Sequence, residues 1–509
     1  MLKPLPTPAE IAEWDNRTIR DIGIPGLTLM ESASREAVHV LLSEYGSVSG
    51  KKVFCFAGSG NNGGDAFAMA RILIDLGAEV SVFHTKPKKQ YRGDARTNLK
   101  WAQKLSISMV HLPSIQAPLP QPDIIIDGLL GTGFKDTLRE STRSIVREIN
   151  RLGRRSFVLA IDIPSGLNGL NGVAQPEAVY ANATATFQAP KLGLCLPSAT
   201  KHVGCLHTCN IGIPKQIQSK HSTRHYLISD HALQSVRTPQ QDMHKGTAGK
   251  VLVIGGSEGL TGAPHLTAIG ALRSGAGLVT VTCPMGVCES VKANSPDIMT
   301  FPLGSGSEWE VSMAEKLLEK APEYDSVVIG PGLGRARKTV DFLKSFVAKC
   351  PARTIIDADG LYALAQHPQL LSELRNDTIL TPHPGEMAKL INSTTEEIQR
   401  NRLNVAQQFV TTCKSVLILK GAGTIVADQD VTCLSPFSEP NLSVGGSGDV
   451  LAGVIGTMLS QGHTPRDAAC IGVYWHGATG RLLKKNFPAR GNLALDIANS
   501  LPKAVQQEL

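Results

Sequence analysis

Short apolar runs of strand character alternate with stretches of helical periodicity along most of this chain, and many of the runs end in turns rich in glycine and aspartate. In the first half Val53–Ala57, Glu79–His84, Asp123–Asp127 and Phe157–Asp162 read as strands, with helix-like Ala66–Leu76, Ala95–Lys104 and Ser144–Leu152 among them. A mainly parallel sheet wrapped by helices satisfies this order, since parallel neighbours need a long crossover and a helix is the compact one. Ligands of such sheets bind beyond the carboxyl ends of the strands. The polar strand ends are therefore where chemistry is expected.

From Ile213 to Met243 the apolar rhythm weakens and Lys, Ser, His, Gln and Pro take over. A second α/β series follows, with strands expected at Val251–Ile254, Leu278–Thr282, Ser326–Ile329, Thr354–Asp357, Thr378–Leu380 and Ser415–Leu419. At 509 residues the chain exceeds what one core supports. The expected division is a first domain over 1–220, a linker over 221–240 and a second domain over 241–509. Thr7-Pro8-Ala9-Glu10 and Thr394–Glu397 have the form of capping boxes that start helices. No short-period repeat is visible, which disfavours a solenoid.

Composition narrows the function classes. With 42% apolar and 19% charged residues and a net charge of +7, the chain reads as an ordinary soluble protein. Its basic residues are scattered apart from the runs at Lys86–Lys89 and Arg151–Arg155, which favours a solvated surface over a nucleic-acid groove. No apolar run reaches the roughly 18 to 20 residues that span a bilayer, and MLKPLPTPAE is not of signal-peptide type, so the expectation is a cytoplasmic protein without membrane attachment. The ten cysteines include no CxxC pair, which fits reduced thiols. Cys205, His207 and Cys209 alternate and would share one face of a strand, and a buried strand face is the reading preferred over a metal site.

Two glycine-rich turns closed by aspartate stand out: Asn61-Asn62-Gly63-Gly64-Asp65 and Gly445-Gly446-Ser447-Gly448-Asp449. Each runs into a helix-patterned segment, where unpaired backbone N–H groups and the helix dipole favour anions. In the first half, Asp127-Gly-Leu-Leu-Gly-Thr-Gly133 and Asp162-Ile-Pro-Ser-Gly166 supply two more polar strand ends. The second half holds His244-Lys245-Gly246, Gly255-Gly256-Ser257, Gly330-Pro331-Gly332-Leu333-Gly334, Asp357-Ala358-Asp359-Gly360, Thr381-Pro382-His383-Pro384-Gly385-Glu386 and Lys420-Gly421-Ala422-Gly423-Thr424. There is no GxxxxGK[ST], so a P-loop is excluded.

The NNGGD turn, the GTG segment and the DIPSG run resemble the amino-terminal domain of the bifunctional NAD(P)H-hydrate repair enzymes, a Rossmann-like, three-layer NAD(P)H-hydrate epimerase. The resemblance implies that Asn61, Asn62, Gly63, Gly64 and Asp65 hold the substrate together with Gly131, Thr132, Gly133, Phe134, Lys135, Asp136 and Thr137. It implies that Asp162 touches substrate and is the acid/base, and that Asn62, Asp127 and Ser165 bind potassium, for which oxygen ligands are suitable. One departure is Ala66, where the family usually has glycine after NNGGD; a methyl group at a helix start is expected to have little effect.

The second series resembles the ribokinase-like α/β ADP-dependent NAD(P)H-hydrate dehydratases over nearly all of residues 240–500. That implies a nucleotide site at Lys420, Gly421, Ala422, Gly423, Thr424 and Gly448, and a hydrate site lined by Ala263, His383 and a glycine of GPGLG, either Gly332 or Gly334. Asp449 would touch substrate and take a proton from the attacking hydroxyl while the glycine N–H groups meet the phosphoryl. Its place at a helix start is expected to lower its pKa. The resemblance further implies ADP as co-substrate, AMP and phosphate as products, magnesium in the second domain and a homo-oligomer. One rival is a ribokinase-like small-molecule kinase, which leaves NNGGD and DIPSG unexplained. Another treats the first domain as a non-catalytic binding module, against which Asn62, Asp127 and Asp162 speak.

Overall fold

The structure is a computed structural model that describes residues 1–508 apart from 113–117, 135–136, 237–243, 294, 351–352 and 489. The chain divides into two compact units, Pro4–His225 and Tyr226–Leu509, the latter joined by Met1–Lys3. Among the described residues no helix is long and apolar enough to cross a membrane.

The chain opens with β1 (Leu2–Pro4), which lies in the second unit's sheet. The first unit's sheet is built from β2 (Lys52–Ala57), β3 (Glu79–His84), β4 (Ser108–His111), β5 (Ile124–Gly128), β6 (Phe157–Ile161), β7 (Ala183–Phe187) and β8 (Cys205–Cys209). All seven are parallel, in the order β4-β3-β2-β5-β6-β7-β8. The order reverses between β2 and β5, so the loops after these two strands diverge and leave a crevice at the carboxyl edge. The central strands have no solvent-facing side: Val53, Cys55, Phe56, Ile124, Ile125, Ile126, Leu159 and Ile161 are fully buried. The capping box at Thr7 is present in full, with the Thr7 N–H on Glu10 Oε2 at 2.7 Å and the Glu10 N–H on Thr7 Oγ1 at 3.2 Å.

The NNGGD segment does not precede a helix as a separate turn. The helix spans Asn61–Asp75, and NNGGD forms its first turns directly against the sheet. Gly63 permits this approach, since a Cβ there would sit 1.9 Å from the Gly58 carbonyl oxygen. Ala66 is fully buried opposite Gly128, on which a Cβ would come within 2.8 Å of the Ala66 methyl. The missing side chain of Gly128 leaves the room that Ala66 uses.

In the second unit β9 (His225–Ile228) is followed by β10 (Lys250–Ile254), β11 (Leu278–Pro284), β12 (Met299–Leu303), β13 (Ser326–Ile329), β14 (Arg353–Ile356), β15 (Ile379–Leu380), β16 (Val416–Leu419), β17 (Ile425–Ala427) and β18 (Thr432–Leu434). Their order is β1-β9-β18-β17-β16-β15-β14-β13-β10-β11-β12. The strands from β10 to β16 are parallel, whereas β17 and β18 add on as antiparallel neighbours. The stretch 221–240, read above as a linker, supplies β9 and the short helix His231–Gln234, with Ile228, Ala232 and Leu233 fully buried. Four residues of HYLI pattern are too few to register against the polar composition around them.

Helices Gly262–Arg273 and Ser447–Ser460 touch backbone to backbone. A Cβ on Gly453 would lie 2.1 Å from the Thr267 carbonyl oxygen, and one on Gly270 would lie 2.6 Å from that of Val450. This crossing fixes the start of the Ser447 helix, and with it Asp449. The Thr394 box is only half formed. Thr394 Oγ1 caps the Glu397 N–H at 3.2 Å, but Glu397 Oε2 accepts from the Ser393 hydroxyl at 2.8 Å. The helix it starts is short, Thr395–Arg400, and a separate helix follows at Arg402–Thr412.

Candidate functional sites at the two sheet edges

In the first unit a cleft of about 1250 Å³ lies along the carboxyl edge. Gly58–Asn62 and Asp65 line it from β2, Leu129–Phe134 from β5 and Asp162 from β6, and Asp15 closes it from the first helix. Thr137 lines it as well, while Gly63 and Gly64 are buried in the helix behind Asn62. Lys135 and Asp136 lie outside the described residues.

Asp162 sits just past β6 with φ +65°, a left-handed conformation that aspartate tolerates better than most side chains. Its Oδ1 accepts from the Lys191 ammonium, from the Phe187 N–H at 3.3 Å and from the Thr186 hydroxyl at 3.4 Å. Lys191 is fully buried and also donates to Thr186 Oγ1 and the Phe187 carbonyl, both at 3.0 Å. Two further carboxyl groups share this charge. Burial raises Asp15 to about 6, with Lys191 opposing and Asp162 adding to the rise. Burial, then Asp162 and Asp15, push Asp65 well above the usual carboxylate range. The three acids thus face one lysine, and burial raises the two that the lysine does not directly pair.

Asn62, Asp127 and Ser165 converge at the crevice. Asn62 Nδ2 donates to the carbonyls of Leu130 at 2.8 Å and Ile161 at 2.9 Å, which turns the amide oxygen away from them. The carboxylate of Asp127, fully buried, accepts from the Ser165 hydroxyl at 2.6 Å and the Ser165 N–H at 2.8 Å. Burial raises Asp127 to about 6, and these hydrogen bonds oppose the rise.

The second unit's edge is organised around Lys420, which follows β16. Its ammonium donates to Asp357 Oδ1 at 2.7 Å, lies 4.0 Å from Glu386 Oε2 and is raised because these carboxylates outweigh its burial. The Thr381 hydroxyl donates to the same Asp357 oxygen at 2.7 Å. Arg402 braces the KGAGT loop from behind, donating to the carbonyls of Lys420 at 3.2 Å and Leu419 at 3.0 Å. Gly421, with φ +135°, lies where a Cβ would strike the Arg402 guanidinium at 2.8 Å. The Thr424 hydroxyl turns back onto the Gly421 carbonyl at 2.9 Å, with Ala422 and Gly423 between them.

Gly446, at φ +87°, delivers the chain into the helix, so Ser447 to Asp449 form its first turn. A Cβ on Gly448 would lie 3.2 Å from Lys420 Nζ, which places the glycine turn over the lysine. Asp449 corrects the expectation from the helix dipole. Its carboxyl is pushed up, not down, to about 8, by burial first and then by Asp357, against the pull of Lys420. Partial charges of a helix end are outweighed where a carboxyl leaves water beside another carboxylate.

His383 is a helix cap. Its Nδ1 accepts from the Gly385 N–H at 3.0 Å, and Glu386 Oε2 accepts the His383 N–H at 2.8 Å, a capping box with histidine in the place of serine. Ala263 stands beside Gly332, whose Cβ would fall 3.3 Å from that of Ala263 and 2.2 Å from the Leu260 carbonyl oxygen. Gly334 lies one turn further on and donates its N–H to Asp359 Oδ2 at 3.0 Å. Among the described residues no group of three or more His, Cys, Asp or Glu side chains is placed to hold a metal ion.

Sequence reasoning missed Lys191, Asp15, Asp357, Glu386 and Arg402. Asp357 and Glu386 lay inside quoted motifs without a role. For Lys191 and Asp15 no local signal existed, since their partners are brought to them by other strands.

Two family models match: YjeF-related protein N-terminus over residues 26–193 and NAD(P)H-hydrate dehydratase over residues 251–503. The bifunctional NAD(P)H-hydrate repair enzyme of Moorella thermoacetica is 36% identical over 98% of this chain and 96% of its own length. That of Escherichia coli K12 is 33% identical over 95% and 91%. A solved ribokinase-like superfamily protein from Enterococcus faecalis V583 superposes with a TM-score of 0.50, covering 56% of this chain and 97% of its own, at 24% identity, which concerns the fold alone. Matched in both halves, in the same order and over nearly its whole length, the chain belongs to the family of bifunctional NAD(P)H-hydrate repair enzymes.

Proposed function

We propose that the first unit interconverts the R and S epimers of hydrated NAD(P)H and that the second dehydrates the S epimer to NAD(P)H, using ADP and releasing AMP and phosphate. The observation that carries this is the repetition, at the carboxyl edges of both sheets, of a lysine paired with a strand-end aspartate and set among further carboxyl groups, fully buried in the first unit and partly exposed in the second. A small-molecule kinase needs only the second of these. A binding module needs neither.

In the first unit the substrate carries a hydroxyl on the carbon beside the ring nitrogen. Loss of that hydroxyl as water needs one proton and leaves a planar iminium; re-addition of water to the other face returns the proton. Asp162 is the group that gives and takes it, with the Lys191 ammonium paired to it, and the burial that raises Asp15 and Asp65 limits the negative charge the pocket gathers. Asn61–Asp65, Gly131–Phe134 and Thr137 bind the dinucleotide. Potassium fits the crevice: Asn62, Asp127 and Ser165 offer an amide oxygen, one carboxylate and a hydroxyl, a hard and weakly charged set suited to a monovalent cation. Such an ion would tie the β2 and β5 loops together.

In the second unit the substrate hydroxyl attacks the terminal phosphoryl of ADP while Asp449 accepts its proton, and the phosphate ester then eliminates to restore the ring. Gly446–Gly448 present N–H groups to the phosphoryl, and Lys420 with Gly421–Thr424 holds the nucleotide. Ala263, His383 and Gly332, which is packed against Ala263, line the hydrate. Magnesium, bound chiefly through nucleotide phosphates and water, would neutralise the transferred group. A cytoplasmic homo-oligomer belongs to the same proposal.

The test uses the full-length protein, mixed hydrate epimers and either ADP or ATP, with recovery of reduced-nicotinamide absorbance as the readout. Complete recovery is expected. A plateau at the S fraction would remove the epimerase assignment, and no nucleotide-dependent recovery would remove the dehydratase assignment.

A further inference from the structure

The basic run at Lys86–Lys89 has no part in the scheme above, and the topology gives it a position with chemical meaning. In sheets of this order, the strand next to the one that carries the phosphate-binding loop ends beside the ribose of the adenosine half. An acid there bonds the 2′-hydroxyl, and a basic group nearby accommodates a 2′-phosphate. Here the phosphate-side loop follows β2, so the reading strand is β3. It ends in His84, and Thr85-Lys86 follows, with no acid among them.

This strand end is held firmly against the loop it would serve. The Thr85 N–H donates to the Ala57 carbonyl at 3.1 Å, and the Tyr91 hydroxyl donates to the same carbonyl at 3.4 Å. His84 is 3% exposed and its Nδ1–H donates to the Lys86 carbonyl at 2.8 Å, which clamps the turn on both sides of Thr85. Thr85 and Lys86 line the same cleft as Gly58–Asn62 and Asp162. The Lys86 side chain is exposed and, among the described residues, has no ion-pair partner. Among the described residues Arg139 is the other cation on the cleft, but it precedes helix Glu140–Leu152, on the far side of the switch point where the reacting ring meets Asp162. Lys88 and Lys89 do not line the cleft.

Resting on the assignment of this cleft to hydrated NAD(P)H, we infer that Lys86 holds the 2′-phosphate of the adenosine ribose, so that the epimerase site takes hydrated NADPH in preference to hydrated NADH. A lysine freed of partners pays no ion pair to engage a phosphate, and one charge-assisted contact of this kind is worth about tenfold in affinity.

The experiment measures epimerisation of the R-hydrates of NADPH and NADH separately, by the full-length protein without added nucleotide, with the epimers resolved chromatographically. The kcat/KM ratio of NADPH-hydrate to NADH-hydrate should exceed one in the wild type. It should fall about tenfold in Lys86→Ala, through KM, fall further in Lys86→Glu and persist in Lys86→Arg. Lys88→Ala should leave it in place. A wild-type ratio near one, a ratio indifferent to Lys86→Ala, or one that moves instead with Arg139→Ala overturns the inference. The same comparison by calorimetry, taking the difference in 2′,5′-ADP binding between wild type and Lys86→Ala, cancels any binding in the second unit; no difference likewise overturns it. Absence of epimerisation of either hydrate, by contrast, strikes the assignment of the cleft itself, and the calorimetric difference still decides for or against Lys86.

Discussion

Asp162, just past β6, and Asp449, in the first turn of helix Ser447–Ser460, each stand near a lysine, yet their surroundings differ in kind. Asp162 is the direct partner of Lys191, and burial raises the two acids beside it, Asp15 to about 6 and Asp65 well above the usual carboxylate range. In the second unit the lysine is claimed by Asp357, and Asp449 is left to hold its own proton, at about 8. The carboxyl groups that burial raises are in each unit ones that the lysine does not touch directly. In the second unit the proton acceptor is released only when something else arrives to offset the charge.

The comparison breaks most directly on paired substitutions. Asp449→Asn should lower dehydration of the S-hydrate by about a thousandfold with epimerisation unchanged, and Asp162→Asn should do the reverse. Asparagine is chosen because it also accepts the left-handed backbone of Asp162. If either variant abolishes both activities, the units do not act separately.

The next effect is on stability. Lys191→Met strands Asp162 without its counter-charge in a site where both side chains are nearly inaccessible, and should cost about 3 to 5 kcal/mol in denaturant unfolding of the first unit. The double variant Asp162→Asn/Lys191→Met should recover most of it. Lys420→Met should cost less, because Asp449 is already protonated and only Asp357 loses a direct partner. Equal losses would erase the distinction.

A pH series sharpens it further. The folded-state pKa of Asp449, about 8, lies above its ordinary 3.8. Between these values the folded protein keeps a proton that the unfolded chain has released, so the group's contribution is intact below about 3.8 and is lost as pH rises to about 8. Asp449→Asn should therefore match the wild type in acid and exceed it in stability above about pH 8. The smallest expected effect concerns the two caps. Thr7→Ala, which breaks a complete box, should cost about 1 kcal/mol, and Thr394→Ala should cost less because its box is half formed.

Most of the buried strands were legible, the central ones as near-continuous apolar runs and β3 as an alternating one: Ser326–Ile329 and Glu79–His84 agree to the residue. The strands that escaped are at or near sheet edges or carry small residues. β4 is partly exposed, β9 and β12 sit in polar or half-buried surroundings, and β7 is an ATATF run whose alanines and threonines carry little apolar signal; β8 was legible as a strand, but its Cys205–His207–Cys209 face is exposed at Cys205 and only Cys209 is buried, because β8 is an edge strand. The antiparallel β17 and β18, three residues each, are too short for a period to show. His383, which the resemblance places at the hydrate, also caps a helix, a role the sequence did not suggest because histidine seldom fills it.

The sequence by itself determined the two α/β series and the strand-end motifs, because periodicity and glycine-aspartate turns are local properties of the chain. It also carried the family. Only the tertiary structure decided that NNGGD is the first turn of a helix, that Lys191 belongs to Asp162 and Lys420 to Asp357, and that Asp449 is raised rather than lowered. The physical reason is that charge states are set by burial and by partners from other strands, 29 residues away for the first pair and 63 for the second, and no local pattern records that distance.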